Sequence, residues 1–163
     1  MTLVEADDEG RQTPMGLARY AYEYIEAAIL VDNQMGAKPG HEFVPPIPAY
    51  FLALHGIELT LKAFMRHKGM SARQLRSKDF GHDVRRCYRK AKELGLREII
   101  RLDSGDLRAM LMLLDLNEYQ ALRYIRTGAK TFPSWAIVEP FAVRLHQAVA
   151  NDIGARTFTR TYG

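Results

Sequence analysis

"LHGIELTLKAFMRHKG", Leu54 to Gly69, is the stretch whose reading decides the fold. Around it, Tyr50, Leu54, Ile57, Leu61 and Phe64 form one apolar stripe at helical spacing, while Leu52, Leu59 and Ala63 lie nearly opposite. A helix that is apolar on both sides is central rather than peripheral. The same run nevertheless carries His55, Glu58 and Lys62. At about 100° per residue, Lys62 falls about 20° and Glu58 about 60° from His55, so the three share one edge. Glu58 and Lys62 stand at i, i+4 with the acid N-terminal, the favoured orientation for an ion pair. An isolated buried charge costs several kcal/mol, so these groups must be paired or must border a cleft. Three readings follow: an architectural ion pair, a cleft taking a phosphate or base through Lys62, or a metal site on His55 and Glu58. For the metal site, no second His/Glu pair at similar spacing completes the ligand set.

From this helix the chain reads outward as helical. Pro48 to His67 is expected to be one helix, ended by Gly69, and "SARQ" (Ser71 to Gln74) matches a capping box. Upstream, Thr13 and Pro14 mark a helix start, and Leu17, Tyr20, Ala21, Tyr24, Ile25, Ala28 and Val31 give the inward face. "MGAKPGHEFVPPIP" (Met35 to Pro48) separates the two helices. Downstream, a helix from His82 to Leu94 is expected to bury Val84, Cys87, Tyr88 and Ala91 and to show its Arg and Lys residues to solvent. Another starts after Asp103 or Ser104 and either breaks at Asn117 or continues to Ile125. The last begins near Pro140, with Phe141, Ala142, Leu145, Ala148 and Val149 inward, and closes at Ile153 and Gly154. The expectation is an all-α, antiparallel (up-and-down) bundle of four to five helices over residues 14–153. A mobile acidic tail over residues 1–13 precedes it. A C-terminal tail over residues 154–163 follows, as a short strand or disordered.

Composition bounds the function. The 163 residues are 47% hydrophobic and 26% charged, ordinary for a soluble domain. No apolar run reaches the ~18 residues that span a bilayer, and the N-terminus lacks a signal-peptide pattern. One cysteine, Cys87, excludes an intramolecular disulfide and points to a reducing cytoplasm. It sits at core spacing as a small hydrophobe. Net charge is +4, but residues 62–108 hold 14 Lys and Arg against 6 Asp and Glu. That surplus permits attraction to phosphate-rich partners, or simply makes a solvated helix face.

Three blocks carry a family resemblance. "HGIELTLKAFM" resembles the second helix of HEPN domains (higher eukaryotes and prokaryotes nucleotide-binding), with its early His, a Glu three positions on and a Lys four beyond. "GHDVRRCYRKAKELGL" (Gly81 to Leu96) is similar to the Gly-His-Asp opening of the family's next helix, and "LNEYQALRY" (Leu116 to Tyr124) to its late Arg-Tyr element. The blocks follow the family's order and cover residues 50–125. The resemblance implies a helical bundle that forms a homodimer. It implies binding of a nucleotide, RNA or protein, in a toxin–antitoxin or defence setting, or as the structural partner of a small nucleotidyltransferase.

The family's nucleases use a late Arg, four to six residues, then His. Here Arg123 is followed by "YIRTGAKTFPSW", without that histidine. Arg76 to His82 has the spacing but lies outside the family's position. The expectation is therefore a divergent, non-catalytic member with no cofactor. A metal-independent endoribonuclease using His82 or His55 as acid–base and Arg123 as phosphate clamp is the alternative. The candidate ligand-binding residues are His55, Glu58, Lys62, His82, Asp83, Arg123, Tyr124 and Arg126, with Lys130 as a further cation. Asp83, and His82 beside it, are explained equally well as helix-capping residues. Trp135 reads as a core or dimer anchor rather than a base-stacking platform. His41, His67 and His146 show no constellation.

Overall fold

At the centre of the molecule lies the helix quoted above, buried on nearly all sides. The structure is a computed structural model that describes residues 9–42, 46–118 and 131–162. In chain order the helices are α1 (Pro14–Met35), α2 (Ile47–His67), α3 (Ala72–Arg76), α4 (Val84–Glu93), α5 (Leu96–Ile99), α6 (Ser104–Glu118) and α7 (Trp135–Ile153). A helical turn over residues 9–11 precedes α1, and no strand occurs among the described residues. The fold is an all-α bundle.

Local chemistry sets most of the boundaries. Thr13 accepts from the Gly16 N–H and Pro14 fills the first position of α1. Ser71 and Gln74 form the reciprocal capping box of α3. The Asp83 carboxylate accepts from the Arg86 N–H at the head of α4. Asp103 and Asp106 cap each other's N–H groups at the head of α6.

Tyr50, Ile57, Leu61, Phe64 and Met65 of α2 are almost fully buried, with Ile25 of α1 and Phe141 and Leu145 of α7 around them. The α1 and α2 backbones approach closely at Gly56, where a Cβ would lie 2.5 Å from Ile25 Cγ1. Arg66, near the end of α2, donates to the carbonyls of Glu9 and Gln12 just ahead of α1, so the two helices run antiparallel. α7 runs the same way as α2. The Tyr50 hydroxyl donates to the Pro133 carbonyl at one end (2.7 Å), and Asp152 faces His67 and Lys68 at the other.

Four expectations are corrected. First, α7 begins at Trp135, with Pro140 inside it. An interior proline forfeits a backbone hydrogen bond, but Val138 is fully buried and the Trp135 ring meets Tyr50 edge-on at 5.4 Å. Packing of this extra turn outweighs the local rule. Second, the inward face of α1 is rotated from the one expected. Ala18, Ala21, Ile25, Ala28 and Ile29 are buried, whereas Tyr20 is 60% exposed. Third, of the tail expected over residues 1–13, residues 1–8 lie outside the described residues and residues 9–11 form a helical turn. Glu9 pairs with Arg66 at 3.0 Å and accepts from the Arg73 N–H. Fourth, residues 155–162 form no strand and are packed on the bundle. They lie extended across α1 and α7, with Phe158 stacked on Tyr22 at 4.3 Å and Tyr162 donating to Glu139.

Candidate functional site

The polar edge of α2 is a cluster built on one carboxylate. Glu58 is 5% exposed. Lys62, one turn on, donates to Glu58 Oε1 at 2.7 Å. Its ammonium also donates to the carbonyl of Gly81, in the loop before α4. That loop carries His82, whose Nδ1 lies 3.3 Å from the same Glu58 oxygen. His55 Nδ1 lies 3.7 Å from the other oxygen, Oε2, and Tyr24 of α1 meets the His55 ring edge-on at 4.4 Å. One carboxylate thus gathers three cationic or potentially cationic groups from two separate stretches of chain.

Burial pushes the Glu58 carboxyl up. The hydrogen bonds and positive charge supplied by His55 and Lys62 outweigh it and hold the group down at about 2. Glu58 is therefore ionised throughout the physiological range. Lys62 spends its charge on Glu58 and its reach on Gly81. It pins the loop before α4 to α2 and is not an open cation waiting for phosphate. The ammonium occupies Glu58 Oε1, while His55 lies beside Oε2. No group of three or more His, Cys, Asp or Glu able to hold a metal occurs among the described residues.

His82 is the open member of the cluster, with a side chain 73% exposed against 11% for Lys62. Donating from Nδ1 to Glu58 leaves its Nε2 facing solvent as a basic nitrogen. Beside it, His82, Asp83, Arg85, Leu114 and Asn117 line a shallow hollow of about 240 Å³. Asp83 does not touch Glu58; it caps α4 and pairs with Arg86 at 3.3 Å. Two α4 arginines pair with exposed acids, Arg85 with Asp115 and Arg86 with Asp79 and Asp83, all at 3.2–3.3 Å. Arg123, Tyr124, Arg126 and Lys130 lie outside the described residues.

Two further polar groups carry no signal in the sequence. His146 is fully buried between α1 and the C-terminal segment. Its Nε2 lies 2.8 Å from the Ala18 carbonyl and its Nδ1 2.7 Å from the Thr157 hydroxyl. The carbonyl can only accept, so Nε2 carries the proton and Nδ1 accepts from Thr157. Burial lowers the His146 pKa, keeping the ring neutral, although the bond to Ala18 opposes the shift. Asp106, 3% exposed, holds Arg144 and joins α6 to α7. Cys87 is buried, with its thiol pushed up to about 12 by burial, and serves as core. Trp135 is a core anchor that donates to Glu139 at 3.0 Å.

Comparison with known proteins adds no relative: no family model, no curated protein and no solved structure matches this chain. No helix is long and apolar enough to cross a membrane among the described residues.

Proposed function

We propose that the chain is a HEPN-like domain that binds RNA or nucleotides without cleaving them, through the face that carries His82 and the head of α4, and that it acts as a homodimer. The observation that carries this reading is the convergence of two motifs on one carboxylate. The His-Glu-Lys line of α2 and the Gly-His-Asp loop are separate in sequence and meet at Glu58. The arginines beside them are engaged in exposed ion pairs, each worth at most about 1 kcal/mol. Phosphates can take the place of those acids at little cost, and such binding is salt-dependent.

The test is fluorescence anisotropy with labelled single-stranded RNA. Binding is expected at low salt, falling steeply as salt rises, with Arg85→Ala/Arg86→Ala at least about tenfold weaker. No binding of RNA or nucleotide at low salt would remove the reading and leave a structural subunit, for instance one that accompanies a small nucleotidyltransferase. Light scattering checks the dimer, and a monomer at tens of micromolar would contradict it.

A second reading rests on the orientation of His82. A buried carboxylate on Nδ1 and a solvent-facing Nε2 suit a general base acting on an RNA 2′-hydroxyl. In that case the protein cleaves RNA in the presence of a chelator, and His82→Ala abolishes cleavage while Asp83→Asn does not.

A further inference from the structure

A second concavity lies away from the Glu58 cluster, where α4, α5 and the start of α6 meet. Gly95, at φ 101°, reverses the chain after α4. The chain then makes the single turn of α5 and returns in extended form at Ile100. Between these segments is a half-open cavity of about 320 Å³, within the size range of small-molecule sites. Its walls are Tyr88, Leu96, Ile100, Leu102 and Leu107. Among the described residues, the charged ones lining it are Lys92, Arg97 and Arg101, all cationic. Lys92 Nζ sits 4.7 Å above the Tyr88 ring.

The acids nearest in sequence are engaged elsewhere. Glu93 accepts from Lys90, Asp103 caps α6, and the Glu98 carboxyl folds back against Gly95. Among the described residues, neither Arg97 nor Arg101 has an ion-pair partner. A larger hollow of about 770 Å³ between α1 and the C-terminal segment makes no such demand, because Glu23 and Glu26 line it together with Arg19 and Arg156 and Arg19 is already paired with Glu23.

We infer that the cavity is a binding site for a small amphipathic anion, an apolar body ended by a carboxylate or a phosphate. The apolar body enters among Leu96, Ile100 and Leu107, and the anionic head meets Lys92, Arg97 and Arg101. Three like charges around an apolar opening repel one another, and an anion relieves that repulsion. An apolar wall with few polar groups to pair selects against a hydrophilic ligand, whose own polar atoms would be stranded there. The inference is independent of the RNA reading and concerns a different face.

The test is calorimetric titration with decanoate, decanol, decyltrimethylammonium and inorganic phosphate. One decanoate is expected per chain, with decanol at least about tenfold weaker and no measurable binding of the cation or of phosphate. Arg97→Gln/Arg101→Gln is expected to weaken decanoate at least about tenfold without changing the melting temperature, since both side chains are exposed. Leu107→Trp is expected to fill the cavity and block it. Absence of decanoate binding, equal binding of decanol, or unchanged affinity in the arginine variant would overturn the site. Displacement of decanoate by single-stranded RNA would also overturn it, by making the cavity part of a nucleic-acid surface.

Discussion

His146 and His82 put the same side chain to opposite uses. His146 is sealed under Phe158, with both ring nitrogens satisfied. His82 spends one nitrogen on Glu58 and leaves the rest of its ring in water. Removing the first costs stability and no chemistry. Removing the second is expected, on the proposed reading, to cost RNA binding and little stability. The contrast shows that a histidine's role here follows from how many of its nitrogens the fold has already used.

The comparison breaks most strongly at the carboxylate beneath His82. Glu58→Gln leaves the Lys62 ammonium buried without its countercharge and is expected to cost about 3–5 kcal/mol by chemical denaturation. Adding Lys62→Met to that variant is expected to restore much of the loss, because it removes the stranded charge. Next in size is His146→Ala, which leaves the Ala18 carbonyl and the Thr157 hydroxyl without partners and opens a void. A loss of about 2–3 kcal/mol is expected, with RNA affinity unchanged.

Acid separates the two sites along the pH axis. The His146 pKa is lowered from 6.5 on folding, so the unfolded chain binds a proton that the folded one refuses. Stability is therefore expected to fall as pH drops below about 6.5, and to stop falling from this cause once the lowered folded value is passed. Glu58, held at about 2 against an ordinary 4.5, keeps its contribution above 4.5 and loses it as pH falls towards 2. Denaturant midpoints across this range are expected to decline in two stages, the upper one absent in His146→Ala. The smallest effect is His82→Ala, expected to change stability by no more than about 0.5 kcal/mol while reducing RNA binding. A large stability loss there would erase the contrast between the two histidines.

Much of this architecture is legible in the residues because it rests on local chemistry. Thr13 with Pro14, Ser71 with Gln74, Asp83 and Asp103 each mark a helix start through bonds spanning three residues. The two-sided apolar pattern of α2 places it in the centre without any long-range information. What fails is what distant packing decides. Pro140 is a sound local signal for a helix start, overridden by Trp135 and Val138 packing one turn earlier. Tyr20 fits the expected inward face, yet it is Tyr22 that packs inward, against His146 and against Phe158 from the far end of the chain.

The candidate site divides the same way. His55, Glu58 and Lys62 share an edge by helical geometry alone, and Glu58 to Lys62 is an i, i+4 pair. No spacing rule brings His82 to Glu58 or the Gly81 carbonyl to Lys62; the resemblance put those segments in one family pattern, and their contact is a tertiary fact. His146 left no trace because its partners are a backbone carbonyl and a threonine.

The missing side chain at Gly56 has a consequence for how α1 and α2 find their alignment. Sliding α2 by one turn would set Leu52 or Thr60 against Ile25, and either brings a Cβ into space that the present contact leaves no room for. The notch thus acts as an address, admitting one register of the pair and rejecting its neighbours. It also fixes where the ring of Tyr24 meets His55. A hydrogen atom in place of a methyl group, adjacent to the cluster yet taking no part in it, thereby decides where along α1 that cluster comes to rest.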